Sequence, residues 1–187
     1  ACYEGGLKIF EFTNRGDFAH EVFGELVKWA SKELPGIAIG VGSVVDAGTT
    51  SLYIQMGASF IVSPLLNEDM ARVCNRRKVL WMPGCATLSE ISKAEELGAE
   101  VVKIYPGATV GGPAYVKAIT APCPWTLVMP SGGVSPTFEN IKEWFDAGAF
   151  CVGMGSKLVT KEIIREGNYE ALKEKAAELV EMVKKAR

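Results

Sequence analysis

What most constrains this chain is a repeat of seven short apolar runs, each followed by a stretch that suits a helix. The runs are residues 7–13, 37–44, 60–64, 79–85, 101–107, 126–133 and 150–156. Their centres fall about 20–30 residues apart, the spacing of a buried strand plus a crossover helix, so parallel βα units are expected. A closed (β/α)8 TIM barrel needs eight such units. Residues 1–6 read as the end of a helix, so the first strand of a barrel is expected before Ala1. An open doubly wound sheet is the alternative, but no GxGxxG pattern follows the first run and the even units suit a barrel better. No linker or shift of composition divides the chain, so a single barrel domain over 1–187, ending in a C-terminal helix, is expected.

The helices announce themselves by their ends. One is expected from Phe18 to about Leu34, with Phe18, Val22, Phe23, Leu26, Val27 and Ala30 as its apolar stripe and Pro35-Gly36 as its stop. Others are expected from Asp46 to about Met56, from Asn67 (a possible cap) to Arg77, and from a Thr87-x-x-Glu90 capping box to Gly98. A short helix is expected near 115–120, another from Ser135-Pro136 to Ala147, and a polar connector then leads into a long amphipathic helix through Leu172, Ala176, Leu179, Val180 and Val183. Trp81, Trp125 and Trp144 suit the core or the barrel rim, while Trp29 and His20 fall on the first helix.

Composition excludes several kinds of protein. Twenty Lys and Arg stand against 22 Asp and Glu, for a net charge of −2, and no basic run marks a nucleic-acid surface. No apolar stretch approaches the roughly 18 residues of a membrane span. The five cysteines lie scattered without CxxC pairs, with Cys85 and Cys151 in apolar runs, as expected of reduced core cysteines in a cytoplasmic protein. His20 is the only histidine, which argues against a His-rich zinc site and against a Ser-His-Asp triad elsewhere.

Two charges break the pattern of the runs. In 101–105, Val102 and Ile104 face one way and Val101, Lys103 and Tyr105 the other. A lysine is disfavoured inside a strand, and burying its ammonium is expensive unless it is paired or loses its proton. A depressed pKa would make it a neutral, nucleophilic amine; the alternative is a lysine on a solvated or salt-bridged face. Glu11 is the second anomaly, on the strand face opposite Phe10 and Phe12. An amine nucleophile with a carboxylate to shuttle its protons is what Schiff-base chemistry requires, whereas each charge taken alone is also compatible with a structural ion pair.

Strand ends and the loops after them are where a barrel keeps its active site. Arg15, shortly after Glu11, can hold a carboxylate bidentately or simply be a solvated loop arginine. Ser131-Gly132-Gly133 and Gly153-Met154-Gly155-Ser156 have the glycines that let backbone N–H groups approach an anion such as phosphate, though such glycines also make ordinary turns. Ser43, Pro64 and Pro83 end their runs and, taken alone, are turn formers.

Seven segments in order resemble the 2-keto-3-deoxy-6-phosphogluconate (KDPG) and 4-hydroxy-2-oxoglutarate (KHG) aldolases of class I. They are Glu11-Phe12-Thr13-Asn14-Arg15, Gly40-Val41-Gly42-Ser43-Val44, Phe60-Ile61-Val62-Ser63-Pro64, Met82-Pro83-Gly84, Val102-Lys103-Ile104-Tyr105-Pro106-Gly107, Pro130-Ser131-Gly132-Gly133-Val134 and Val152-Gly153-Met154-Gly155-Ser156. The resemblance implies a homotrimeric (β/α)8 barrel of carbohydrate metabolism, of the Entner–Doudoroff type. Such an enzyme cleaves a small-molecule 2-keto-4-hydroxy acid to pyruvate and an aldehyde, with no metal, cofactor, nucleic acid or membrane. By the same resemblance Lys103 is the Schiff-base lysine and Glu11 the proton shuttle. Arg15 and Ser43 hold the pyruvyl carboxylate and neighbouring oxygens, Pro64 lines that pocket, and Ser131, Gly132, Gly133, Gly155 and Ser156 lie on the phosphate side.

The chain departs from the family at several positions. Ser43 and Ser131 stand where Thr is common, which keeps the hydroxyl. Ala108 follows Pro106-Gly107 where an acidic residue is usual, and Cys85-Ala86 and Leu88 also differ. Two other classes stay open from the sequence: a phosphate-binding TIM-barrel enzyme of different chemistry, with Lys103 as a charge clamp, and a non-catalytic trimeric relative.

Overall fold

The computed structural model describes residues 1–187. They group into two compact units, Lys8–Lys103 in one and Ala1–Leu7 with Ile104–Arg187 in the other.

The first unit is built on four parallel strands, β1 (Ile9–Thr13), β2 (Ala38–Gly42), β3 (Phe60–Val62) and β4 (Leu80–Met82), hydrogen-bonded in sequence order. A doubly wound sheet reverses its strand order at a switch point, and this sheet does not. Helices α1 (Ala19–Glu33), α2 (Ala47–Gln55), α3 (Glu68–Arg77) and α4 (Leu88–Glu96) alternate with the strands. The run at 79–85 is interrupted at Pro83, which has no N–H to donate, so it forms β4 and a separate two-residue strand, β5 (Gly84–Cys85). Strand β6 (Val102–Ile104) follows α4, and the boundary between the units falls after its second residue.

Side-chain caps begin three of these helices as the sequence suggests. The Asp46 carboxylate accepts from the Thr49 N–H at 2.8 Å, and Asn67 accepts from Asp69 and Met70. The Thr87 hydroxyl accepts from the Glu90 N–H at 3.2 Å while the Glu90 carboxylate accepts from the Ala86 and Thr87 N–H groups at 2.9 Å. Helix α1 starts differently. Phe18 is left-handed at φ 62° and caps nothing with its side chain, so the helix buries Ala19, Phe23 and Ala30. Phe18 and Val22, expected on the buried stripe, are instead exposed. Phe23 packs edge-on against Tyr53 of α2, with ring centroids 5.0 Å apart, and lies 5.5 Å from Phe12 of β1.

The second unit contains α5 (Gly112–Thr120), β7 (Val128–Pro130), α6 (Phe138–Asp146), α7 (Lys161–Glu166) and α8 (Tyr169–Ala186). Its core joins Ile141, Leu158, Ile163, Leu172 and Leu179, with Cys2 and Leu7 of the N-terminal turn packed against it. The residues at 150–156, expected to be a strand, make only a single parallel bridge, Ser131 to Gly153. Helix α6 begins later than the Ser135-Pro136 start: Thr137 is its cap, and the Asn140 side chain accepts from the Ser135 N–H at 2.7 Å, so Pro136 lies outside the helix. The connector before α8 holds a helix of its own, α7, because Thr160 caps it and Gly167 ends it in the left-handed conformation. Trp81 and Trp144 are buried as expected; Trp125 is 69% exposed.

The capping box is a local device whose value can be measured. Thr87→Ala is expected to lower the unfolding free energy by about 1 kcal/mol. The check is a urea titration, in which the midpoint should fall while the slope stays unchanged.

Candidate active site

Lys103 is the middle residue of β6 and is 6% exposed, one of four buried polar or charged residues in the chain. Its backbone N–H donates to the Pro83 carbonyl at 2.9 Å, so the strand ladder fixes its position. Burial holds the Lys103 amine below the ordinary lysine range; Glu11 opposes that shift and Arg15 adds to it. Glu11 shows the complementary behaviour. Burial raises its carboxyl above the usual range, while the positive charges of Lys103 and Arg15 pull it back down. Both groups are thus pushed toward their neutral forms by desolvation and toward their charged forms by each other.

Register explains how a carboxylate fits there. Strand β1 pairs with β2 so that Glu11 faces Gly40 and Thr13 faces Gly42. A Cβ on Gly42 would run into the Glu11 carboxylate, and one on Gly40 would run into the Phe60 ring. The Gly40-Val41-Gly42 alternation therefore clears one face of β2 for Glu11 and Phe60 while Val41 fills the core on the other. The signal was present in the sequence as two glycines at strand spacing, but its meaning depends on the register of β1.

Arg15 and Ser43 come together across 28 residues, with the guanidinium Nε donating to the Ser43 hydroxyl at 3.3 Å. Ser43 is left-handed at φ 60°, directly after β2, and the Asn14 N–H extends the β1–β2 pairing by one bond to the Gly42 carbonyl at 2.8 Å. Pro64 is half-buried just beyond β3, after Ser63, whose buried hydroxyl accepts from the Leu65 N–H at 3.2 Å. Sequence reasoning missed Tyr53. It is fully buried on α2, and its hydroxyl donates to the Asn14 side-chain oxygen at 2.7 Å.

In the second unit, the strand end at Pro130-Ser131 and the loop after β6 are tied together by backbone hydrogen bonds. Ser131 donates to the Ile104 carbonyl at 3.0 Å, Gly107 to Ser131 at 2.8 Å, and Ala108 to Gly132 at 2.9 Å. Gly132 and Gly133 are exposed at φ 87° and 92°, a left-handed pair that presents backbone rather than side chain to solvent. Gly155 and Ser156 are also exposed, and the Gly155 carbonyl accepts from Leu158 and Val159 as the chain turns toward α7. No three His, Cys, Asp or Glu side chains are placed to hold a metal ion.

A buried lysine coupled to a carboxylate, with an arginine held beside them, is a constellation for carbonyl chemistry on an anionic substrate. The sequence pattern of the KDPG and KHG aldolases matches residues 1–175. The chain belongs to this family. It is 32% identical over 182 residues to the 2-dehydro-3-deoxy-phosphogluconate aldolase of Pseudomonas aeruginosa, covering 97% of this chain and 80% of that one. It is 28% identical over 185 residues to the KHG/KDPG aldolase of Escherichia coli, covering 98% and 84% of the two chains. The solved KDPG aldolase of Legionella pneumophila, with pyruvate captured at low pH as a covalent carbinolamine intermediate, matches with a TM-score of 0.86 at 26% identity, covering 95% and 84%. Membership makes the protein an enzyme, a carbon–carbon lyase of class I aldolase type. Its α/β fold with parallel strands is that of its KDPG aldolase neighbours, and no helix is long and apolar enough to cross a membrane.

The coupling among the three charges has a sign that can be tested. Lys103 should react with an amine-directed reagent at lower pH than the surface lysines. Glu11→Gln removes a charge that supports the ammonium, so the midpoint of Lys103 should fall further; Arg15→Met removes a charge that opposes it, so the midpoint should rise. Competitive labelling across a pH series, read by mass spectrometry at Lys103, measures both shifts.

Proposed function

We propose that the protein cleaves a 2-keto-4-hydroxy acid to pyruvate and an aldehyde through a Schiff base on Lys103. The substrate is 2-keto-3-deoxy-6-phosphogluconate or 4-hydroxy-2-oxoglutarate, and the aldehyde glyceraldehyde 3-phosphate or glyoxylate. The carrying observation is that Lys103 is buried in a strand beside the charge of Glu11, with its amine held below the ordinary lysine range. A neutral amine attacks a ketone and an ammonium does not.

The steps follow from that pair. The Lys103 amine adds to the C2 ketone, and the resulting carbinolamine loses water to give an iminium. Glu11, with its carboxyl raised toward neutrality, moves the protons of these steps directly or through water. It then takes the proton of the C4 hydroxyl as the C3–C4 bond breaks. The aldehyde leaves, and the electron pair of the broken bond passes into the iminium to form an enamine. Protonation at C3 and hydrolysis release pyruvate and the free amine. Arg15 and Ser43, already in contact, hold the C1 carboxylate, and Pro64 lines the pyruvyl pocket. The Ser131-Gly132-Gly133 and Gly155-Ser156 loops are assigned anion binding, for which the exposed left-handed pair Gly132 and Gly133 and the serine hydroxyls are suited.

The (β/α)8 barrel, the homotrimer and a cytoplasmic place complete the proposal. The first two rest on the resemblance to KDPG and KHG aldolases, and the third on five free cysteines.

Borohydride reduction in the presence of pyruvate is the direct test. It should fix a three-carbon adduct on Lys103, and Lys103→Met should abolish both adduct and pyruvate release. An adduct on another residue, or none, overturns the mechanism. Assaying pyruvate release from KDPG, its galactonate epimer and 4-hydroxy-2-oxoglutarate then assigns the substrate.

A further inference from the structure

The geometry points to Tyr53 as a positioning residue that acts through Asn14 on the carboxylate-holding Arg15; this inference rests on the Schiff-base aldolase proposal and deepens it. Tyr53 is fully buried, yet its hydroxyl reaches 39 residues back in sequence to donate to the Asn14 side-chain oxygen at 2.7 Å. Asn14 is the residue between β1 and Arg15, and its own N–H is bonded to the Gly42 carbonyl. Both ends of this residue are therefore fixed: the backbone by β2, the side chain by α2. Arg15 follows at once, and its N–H folds back to the Thr13 carbonyl at 2.9 Å in a tight turn.

Helix α2 references both partners of the Arg15–Ser43 contact to one rigid body. Ser43 lies three residues before the Asp46 cap. That cap is itself braced, because the carboxylate also accepts from the Thr49 hydroxyl and the Asp46 carbonyl accepts from the Thr50 hydroxyl, both at 2.7 Å. Two turns further along the same helix, Tyr53 is clamped by the Phe23 ring and holds Asn14. A long, exposed arginine has many rotamers, and fixing the residue before it limits how many must be given up when a carboxylate binds. Losing the Tyr53 bond should therefore weaken carboxylate binding while leaving the Lys103 and Glu11 chemistry in place.

Tyr53→Phe is expected to raise KM for the keto acid, and the pyruvate concentration that half-saturates borohydride trapping at Lys103, by about 3–10-fold with kcat nearly unchanged. Asn14→Leu, which leaves the buried ring untouched, should reproduce the shift. In an Arg15→Met background neither substitution should add more than about twofold, because they act through a group already removed. A general packing defect would instead add its effect in both backgrounds and lower kcat with it; that result, or an unchanged KM, overturns the inference. If Tyr53→Phe does not fold, the Asn14→Leu pair of backgrounds decides alone. A wild-type protein that traps no pyruvate at Lys103 would sink the aldolase proposal and this inference together, whereas normal trapping with unshifted variants would sink only the latter.

Discussion

A lysine buried inside a strand is the constraint on which the first unit turns. Desolvating its ammonium form is expensive; of the two charges beside it, only the Glu11 carboxylate relieves that cost, and the positive Arg15 adds to it. Glu11 offsets part of the burial of Lys103 and is itself pushed toward neutrality in the same place. Its carboxylate needs room, which explains why β2 has glycine at position 42, and Phe60 needs the room that Gly40 leaves. The sheet order β1-β2-β3-β4 then sets these elements side by side along one ladder. A larger side chain at position 42 would disturb the electrostatics of Lys103 without being charged.

Much of this was legible from residue order alone, and for identifiable reasons. Caps such as Asn67 and the Thr87–Glu90 box are local, made within four residues, so the helix starts they mark are where the sequence puts them. Lys103 and Glu11 stood out because a charge in an apolar run is a conflict that only a partner or a shifted pKa resolves. The misses share a different cause. Phe18 and Val22 fit a helical stripe, but the left-handed start at Phe18 removes that residue from the helix, and the buried face runs through Ala19, Phe23 and Ala30 instead. The run at 150–156 has a strand's composition but two glycines and a single bridge, so it follows β7 without forming a ladder. Tyr53 carries no signal in its local sequence. Its role depends on a hydrogen bond across 39 residues, which no periodicity encodes.

Local and long-range order also divide the labour of the site. The pair proposed to carry the chemistry, Glu11 and Lys103, sits on strands, where ladder hydrogen bonds hold the backbone. Arg15 and Ser43 lie just past strand ends, and the hydrogen bond at 3.3 Å from exposed Arg15 to half-buried Ser43 is long. In the proposed mechanism, the groups that take part in bond making are built into rigid elements, and those assigned to accept and release a ligand are hung from them. The braced cap of α2 and the Asn14–Tyr53 bond are what keep the second kind from wandering.

Arg15 has an electrostatic role beyond contact. With only Glu11 and Lys103, burial favours two neutral groups and Coulomb attraction favours an ion pair; both states hold one proton between them. A third, positive charge disfavours the ammonium and favours the carboxylate, so it biases the pair toward giving up that proton altogether. The state left behind, a neutral amine beside an ionised carboxylate, has a nucleophile and a base ready at once. In the proposed reaction, the negative charge of a keto-acid carboxylate held by Arg15 would cancel much of that bias. The proton affinity of the pair then rises as the ketone arrives, when carbinolamine dehydration needs a proton for the departing hydroxyl. In the proposed reaction, the arginine assigned to the substrate carboxylate would also set when Glu11 and Lys103 exchange roles, from proton-poor attack to proton-assisted loss of water.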